Sequence, residues 1–318
     1  MPDSDSERTD RPAIALIGAP TDVGAGHRGG SMGPEAMRVA GLAQGLRRLG
    51  YRVTDQGNLA GPPNPEAEPV GGYRHLAEVA QWCLAAREAT YGALAAGALP
   101  VLLGGDHSLS IGSIAGVARH CAERRAPLAV LWLDAHADFN TRDTTPTGNI
   151  HGMPVAILTG RGPPELTGLL RAGTALDAAQ IFQLGVRSVD HVEKSLVVES
   201  GLVVLDMRQI DERGMRAVMD EVLGQLAALG GHLHVSLDVD FLDPVIAPGV
   251  ATRVPGGPNY REAQLCMEMI HDSGLMRSLD IVELNPAWDD HNRTAALVVE
   301  LAQSLFGQQI LNRRQHSL

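Results

Sequence analysis

Cysteine is scarce in this 318-residue sequence: Cys83, Cys121 and Cys266 are scattered and odd in number. That excludes a disulfide framework and suits reduced thiols packed as small apolar side chains. No CxxC pair exists, so an all-cysteine zinc site is excluded as well. Aromatic residues make up only 3%, and basic residues are outnumbered, 26 Lys and Arg against 37 Asp and Glu, for a formal charge of −11. Partners presenting a phosphate backbone or an anionic membrane are therefore not expected. No run of about 18 apolar residues is present, which argues against a membrane-spanning helix. Residues 1–11 are polar and acidic, lack an apolar segment, and read as a disordered tail and not a signal peptide. These absences predict a cytoplasmic protein with no nucleic-acid or membrane partner.

Hydrophobic residues at 44% and charged residues at 20% are ordinary for a globular enzyme, and the length supplies ample core. Apolar runs alternate with amphipathic stretches, which predicts β-α units. Strands are expected near 13–18, 51–55, 100–104, 128–134, 180–185, 202–206, 232–238 and 279–284, and helices near 34–49, 75–97, 109–121, 212–229, 260–273 and 292–306. Pro34 suits a helix first turn, and Asn259 suits a cap. The expected fold is α/β: a right-handed three-layer α/β/α sandwich with a mostly parallel sheet of about eight strands. One domain should span 12–310, followed by a C-terminal tail at 311–318. The proline-rich stretch from Gly57 to Gly72 reads as an irregular surface loop. Gly24-Ala25-Gly26-His27-Arg28-Gly29 matches G-x-G-x-x-G, but the helix starts only near Gly33-Pro34. The glycines therefore read as a tight loop bordering a site and not as a dinucleotide fingerprint.

Two acidic segments carry the chemistry. Asp134-Ala135-His136-Ala137-Asp138 follows the apolar run 129–133, and Asp238-Val239-Asp240 follows 233–237. With a side-chain period of two in an extended strand, Asp134, His136 and Asp138 share one side, as do Asp238 and Asp240. Helix capping or a surface turn would explain one such pair, but poorly explains two plus a third segment, Gly104-Gly105-Asp106-His107-Ser108. There His107 is a natural sixth ligand, while Asp106 is suited to holding the loop or orienting a neighbouring ligand. Two imidazoles with four carboxylates suit one or two divalent ions of intermediate hardness, such as manganese. A cation pair about 3.5–4 Å apart can share and acidify a water for attack on an electrophilic carbon, so metal-assisted hydrolysis is expected.

Gly-Gly-Asp-His, Asp-Ala-His-Ala-Asp and Ser236-Leu-Asp-Val-Asp-Phe-Leu-Asp-Pro244, in this order, resemble the ureohydrolase family of arginases and agmatinases, from about Ile14 to Phe306. The resemblance implies a binuclear manganese centre, with His107, Asp134, Asp138 and Asp238 on one ion and Asp134, His136, Asp238 and Asp240 on the other. It also implies a homo-oligomer, trimeric or hexameric. Asp138-Phe-Asn140 through Thr147-Gly-Asn149-Ile-His151-Gly152 is similar to the arginase loop that contacts the substrate α-carboxylate, here through Asn140, Thr147 and Asn149. Neutral amide and hydroxyl donors suit a carboxylate beside an anionic metal site. Asp190 and Glu193, in Gly185-Val-Arg187-Ser-Val-Asp190-His-Val-Glu193, match the residues that receive the α-ammonium.

Glu283 matches the carboxylate that pairs with the guanidinium, His151 the proton-relaying histidine, and Thr252 a residue holding the side-chain head. Asp138 would help pass a proton to the leaving amine. The expected activity is hydrolysis of L-arginine to L-ornithine and urea, with an agmatinase or guanidinobutyrase as the alternative and a single-zinc amide deacetylase as the remote one. Three positions depart from the family pattern: Thr147 stands for Ser, and Ala251 and Arg253 interrupt a commoner P-G-x-G-T-P. A left-handed Ala251 would be strained.

Overall fold

The computed structural model describes residues 11–170 and 175–311; the tails expected at 1–11 and 311–318 lie almost wholly outside the described residues. Its strands are β1 (Ala13–Ala19), β2 (Val53–Asn58), β3 (Ala98–Gly104), β4 (Leu128–Leu133), β5 (Ile181–Val186), β6 (Val203–Asp206), β7 (His232–Asp238) and β8 (Met276–Val282). They form one sheet in the order β2-β1-β3-β8-β7-β4-β5-β6. Every pairing is parallel. The sheet is therefore all-parallel where a mostly parallel one was expected.

Helices α1 (Gly33–Val39) and α2 (Leu42–Arg48) precede β2, and α3 (Leu76–Ala95) and α4 (Leu109–Arg124) flank β3. After β4 come α5 (Pro154–Leu158) and α6 (Pro164–Thr167), after β5 α7 (Glu193–Ser200), and after β6 α8 (Met207–Arg213) and α9 (Met215–Leu229). Helix α10 (Tyr260–Ser273) follows β7, and α11 (Arg293–Leu305) follows β8. The single helix expected over 34–49 breaks in two because Gly41 turns left-handed at φ 89°, which a residue with Cβ would resist. Pro34 does lie in the first turn of α1, and Asn259 caps α10 by accepting from the Arg261 and Glu262 amides. Helices α5 to α8 were not foreseen; α5 and α6 are each five residues or fewer, too short for a periodic signal. No described helix is long and apolar enough to cross a membrane.

Both sheet faces are covered. Leu131, Leu133, Val235 and Leu237 join one core with α8 to α11, while Val130 and Trp132 join the other with α3 and α4. Burial on both sides explains why β4 is apolar at every position. Each such side chain contributes on the order of 1.5–3 kcal/mol. Strand β7 departs from this, with His232, His234 and Ser236 buried at period two on the face towards α4. Each has a partner: His232 and His234 reach Ser278 at 2.8 and 2.9 Å, and Ser236 reaches Ser110 at 3.1 Å.

The chain leaves β3, skips two places, builds β4, β5 and β6, and returns to insert β7 and β8 into the gap. The C-terminal ends of β3, β8, β7 and β4 thus lie side by side at the change of winding direction, where open parallel sheets form crevices.

Candidate metal centre and substrate cavity

Each of these four strand ends releases one part of the site. His107 follows β3, Glu283 follows β8, Asp238 closes β7 with Asp240 just beyond, and Asp134 follows β4. His107 Nδ1 lies 3.1 Å from Asp134 Oδ2, 3.2 Å from Asp138 Oδ2 and 3.0 Å from Asp238 Oδ2. His136 Nδ1 lies 3.5 Å from Asp134 Oδ1 and 3.0 Å from Asp240 Oδ2. Two donor groups result, His107 with Asp134 and Asp238, and Asp134 with His136 and Asp240. Asp134 belongs to both, with one oxygen turned to each histidine.

The strand alternation expected for these ligands is not how they meet. An extended Asp134–Asp138 segment would hold its ends roughly 13 Å apart, yet both carboxylates reach His107 Nδ1. Strand β4 stops at Leu133, and Asp138 adopts φ +50°, curling the segment back. Asp240 likewise sits in a 3₁₀ turn, Val239–Phe241, whose start Asp238 caps by accepting the Asp240 amide at 2.7 Å. In the third segment, Gly105 is obligatory, because a Cβ there would lie 1.6 Å from the Thr21 carbonyl oxygen. Asp106 is buried and accepts the Gly24 and Ser108 amides at 2.9 and 3.0 Å, so it holds the loop and stands outside the two donor groups.

The residues fit a pair of cations. His107 Nδ1 and Asp138 Oδ2 are buried without a hydrogen-bond partner, an expensive state that a bound ion would relieve. His107 Nε2 meets Ser236 Oγ at 2.9 Å, leaving Nδ1 to face the carboxylates. The Trp132 indole donates to Asp134 at 2.9 Å, and its ring stacks on His107 at 4.0 Å. Burial and the neighbouring Asp134 push Asp138 up to about 7, while burial with Asp240 and Asp134 drives Asp238 well above the carboxylate range. Burial opposes protonation of His107, but Asp134, Asp138 and Asp238 outweigh it and raise its pKa well above the usual value. Protons thus concentrate where positive charge is wanted.

Above the cluster lies a cavity of about 300 Å³ lined by Asp138, Asn140, Thr147, Asn149, His151, Asp190, Glu193 and Thr252, together with His27, Thr145 and Ser188. Asn140 donates to Asp190 Oδ2 at 2.9 Å. Glu193 is buried, and its two oxygens accept the Phe139 and Asp190 amides at 2.7 and 3.1 Å. Thr252 donates to Asp240 Oδ2 at 2.8 Å. Glu283, at φ +63°, does not line the wall; it lies behind His151, taking the His107 amide at 2.8 Å and meeting His151 Nδ1 at 3.0 Å. Burial would lower the His151 pKa, yet Glu283 holds it up to about 9.

The departures from the motif cause no distortion here. Ala251 is not among the described residues with positive φ. Arg253 turns away to the Pro248 and Trp288 carbonyl oxygens, at 2.8 and 2.7 Å.

Sequence reading missed His27, Thr145 and Ser188 as cavity residues, and Trp132, Ser236 and Arg187 as supports. A signal existed for Ser236, because His232, His234 and Ser236 recur at period two inside an otherwise buried strand. None existed for Arg187, whose guanidinium serves the carbonyl oxygens of Gly185, Asp240, Phe241, Leu242 and Val254.

Comparison with known proteins agrees with this geometry. The profile of the Arginase family matches residues 12–307, and the chain belongs to that family. It is 47% identical to an arginase of Brucella melitensis over 94% of this chain and 97% of that one. The solved arginase of Bacillus caldovelox superposes with a TM-score of 0.90 at 40% identity, covering 95% of this chain and all of the other. The Entamoeba histolytica arginase, solved in complex with L-ornithine, superposes at 0.87 with 29% identity over 93% of this chain and 99% of that one.

Proposed function

We propose that this chain hydrolyses the guanidinium group of L-arginine to L-ornithine and urea. The observation that carries the proposal is the pair of donor groups sharing Asp134 beneath a cavity walled by Asn140, Asn149 and Asp190. His107, Asp134, Asp138 and Asp238 would hold one manganese ion, and Asp134, His136, Asp238 and Asp240 the other. When bound, the ions supply Lewis acidity and an acidified water as nucleophile at neutral pH.

The protein's own residues place the substrate. Asp190 keeps Oδ1 open, which suits it to the α-ammonium, while Glu193, with both oxygens on backbone amides, braces Asp190 and the Phe139 turn. Asn140, Thr147 and Asn149 face the α-carboxylate. Glu283 receives the guanidinium in place of His151. Once His151 loses that carboxylate, the largest support for its raised pKa is gone, and the imidazolium becomes a better proton donor for the leaving amine. The curated relatives carry the name arginase, and one solved neighbour holds L-ornithine. The L-arginine reading is favoured over agmatine because agmatine has no carboxylate for the 140–149 loop. The two donor groups oppose a single-zinc deacetylase. A cytoplasmic homo-oligomer remains part of this reading; the described cysteines are all free and buried.

The test is urea release from L-arginine, agmatine and 4-guanidinobutyrate by the manganese-loaded protein, with metal analysis of the same sample. Two ions per subunit and preference for L-arginine are expected. Fewer than two ions, or faster turnover of agmatine, overturns the reading.

A further inference from the structure

The proline-rich segment read from the sequence as a plain surface loop presses against the back of the 145–151 loop. Pro69 packs on Gly148, where an added Cβ would lie 2.9 Å from the Pro69 Cβ. Just beyond, the Arg74 amide donates to the Gly148 carbonyl oxygen at 2.8 Å. Its side chain then reaches forward: Nε–H donates to Asn149 Oδ1 at 2.9 Å, and Nη1 donates to the Ala67 carbonyl oxygen at 3.0 Å. His75 anchors the same corner, between the Val23 carbonyl oxygen and the Ala67 amide, both at 2.9 Å.

Two consequences follow for the cavity. First, a guanidinium only donates, so it fixes which end of the Asn149 amide it meets: the oxygen faces Arg74, and both N–H donors are left on the other side. Asn149 lines the cavity, and its Nδ2 lies on the Gly26 side with its oxygen held by Arg74, so what the residue can offer an anion there is its donors. Second, the Arg74 charge is not neutralised. Arg28 is paired with Asp22 and Glu66, whereas no carboxylate among the described residues lies within ion-pair distance of Arg74. A cavity otherwise dominated by carboxylates therefore has one stretch of wall with donors in front and a cation behind. Together with the open Asp190 oxygen, this is a complement to a zwitterionic head.

We propose that Arg74 is a specificity-determining, positioning residue: by orienting Asn149 and backing it with an unpaired guanidinium, it makes the site select guanidino compounds that carry a carboxylate. The proposal rests on the arginine reading above and deepens it.

Arg74→Leu and Arg74→Lys in the full-length, manganese-loaded protein test it, with L-arginine and L-argininamide as substrates and L-ornithine and putrescine as calorimetric ligands. Argininamide retains the ammonium and guanidinium but has a neutral amide in place of the carboxylate; putrescine has no carboxylate at all. Arg74→Leu should raise KM for L-arginine and Kd for L-ornithine about tenfold, the scale of a lost charge-assisted contact, with kcat and metal content held. Argininamide and putrescine should move by less than about twofold on the same scale. Arg74→Lys, which restores charge but not the fork to Asn149, should recover part of the loss. In an Asn149→Ala background the Arg74→Leu effect should shrink, since the two act as one unit. Equal shifts for ligands with and without a carboxylate would mean a merely structural role and overturn the proposal, as would no shift. A wild-type protein that leaves arginine untouched would instead overturn the function proposed above.

Discussion

The floor and the mouth of the cavity are built differently. On the floor, Asp134, Asp138, Asp238 and Asp240 are buried at or just beyond strand ends, and three of them are locked by neighbours: the His136 amide and Trp132 indole on Asp134, the Ala135 amide on Asp240, the Asp240 amide on Asp238. At the mouth, Pro146 and Thr147 are exposed, and loops hold one another through side chains such as Arg74 and Thr144. A floor tied to a close-packed sheet has nowhere to relax, so its substitutions should act as all or nothing. A mouth made of loops can adjust, and its substitutions should act by degrees.

The sharpest way to break that contrast is Asp134→Asn. The isosteric amide keeps one oxygen, which can accept from the His136 amide or the Trp132 indole but not from both, so the fold should survive at some cost in stability, but the one residue common to both donor groups loses its charge. Metal content should fall from two ions towards none and turnover by at least ~10³-fold, because ligand charge holds the ions that supply the nucleophile. Elemental analysis beside circular dichroism checks this; a folded variant with both ions in place would refute the shared-ligand assignment.

A gentler probe of the floor is Arg187→Leu. The guanidinium donates to five carbonyl oxygens, including those of Asp240 and Val254. Stranding partly buried acceptors should cost about 2–4 kcal/mol, lowering Tm by roughly 3–6 °C for a chain of this size. The freed 240–242 turn should weaken metal retention by about tenfold, a loss near 1.4 kcal/mol. Thermal melting and metal titration read the two effects separately. A destabilised variant with wild-type metal affinity would show that Arg187 supports the fold alone.

Sequence legibility divides along the same line. The six candidate ligands could be picked out because hard cations demand carboxylates and imidazoles, and parallel strands deliver them near their C-terminal ends, and five of them fall in the two donor groups. What could not be read was their path: a positive φ at Asp138 and Glu283 is a tertiary demand that neither residue type announces. At the mouth, Asn140 and Asn149 were legible as members of a motif, but their partners were not. Arg74 lies 75 residues from Asn149, and its position depends on how a proline-rich loop crosses the surface, which no local periodicity encodes. Glu283 was matched on resemblance to the carboxylate that pairs with the guanidinium, and only packing revealed His151 against it.

The smallest expected effect lies at Thr147, where the family commonly has Ser. The Thr147 hydroxyl oxygen accepts the Asn149 amide at 3.2 Å, and the residue is exposed. Thr147→Ser keeps that oxygen and removes only a solvated methyl, so KM for L-arginine should change by less than about twofold, within the ±0.5 kcal/mol typical of surface substitutions. Thr147→Val keeps the shape and removes the oxygen; with the Asn149 amide free to take water instead, KM should rise by only about threefold, with kcat unchanged. Steady-state kinetics on both variants distinguishes a graded mouth from a rigid one. A drop in kcat of tenfold or more for Thr147→Ser would mean that the exposed loop is as unforgiving as the strand ends beneath it, and the division between floor and mouth would not stand.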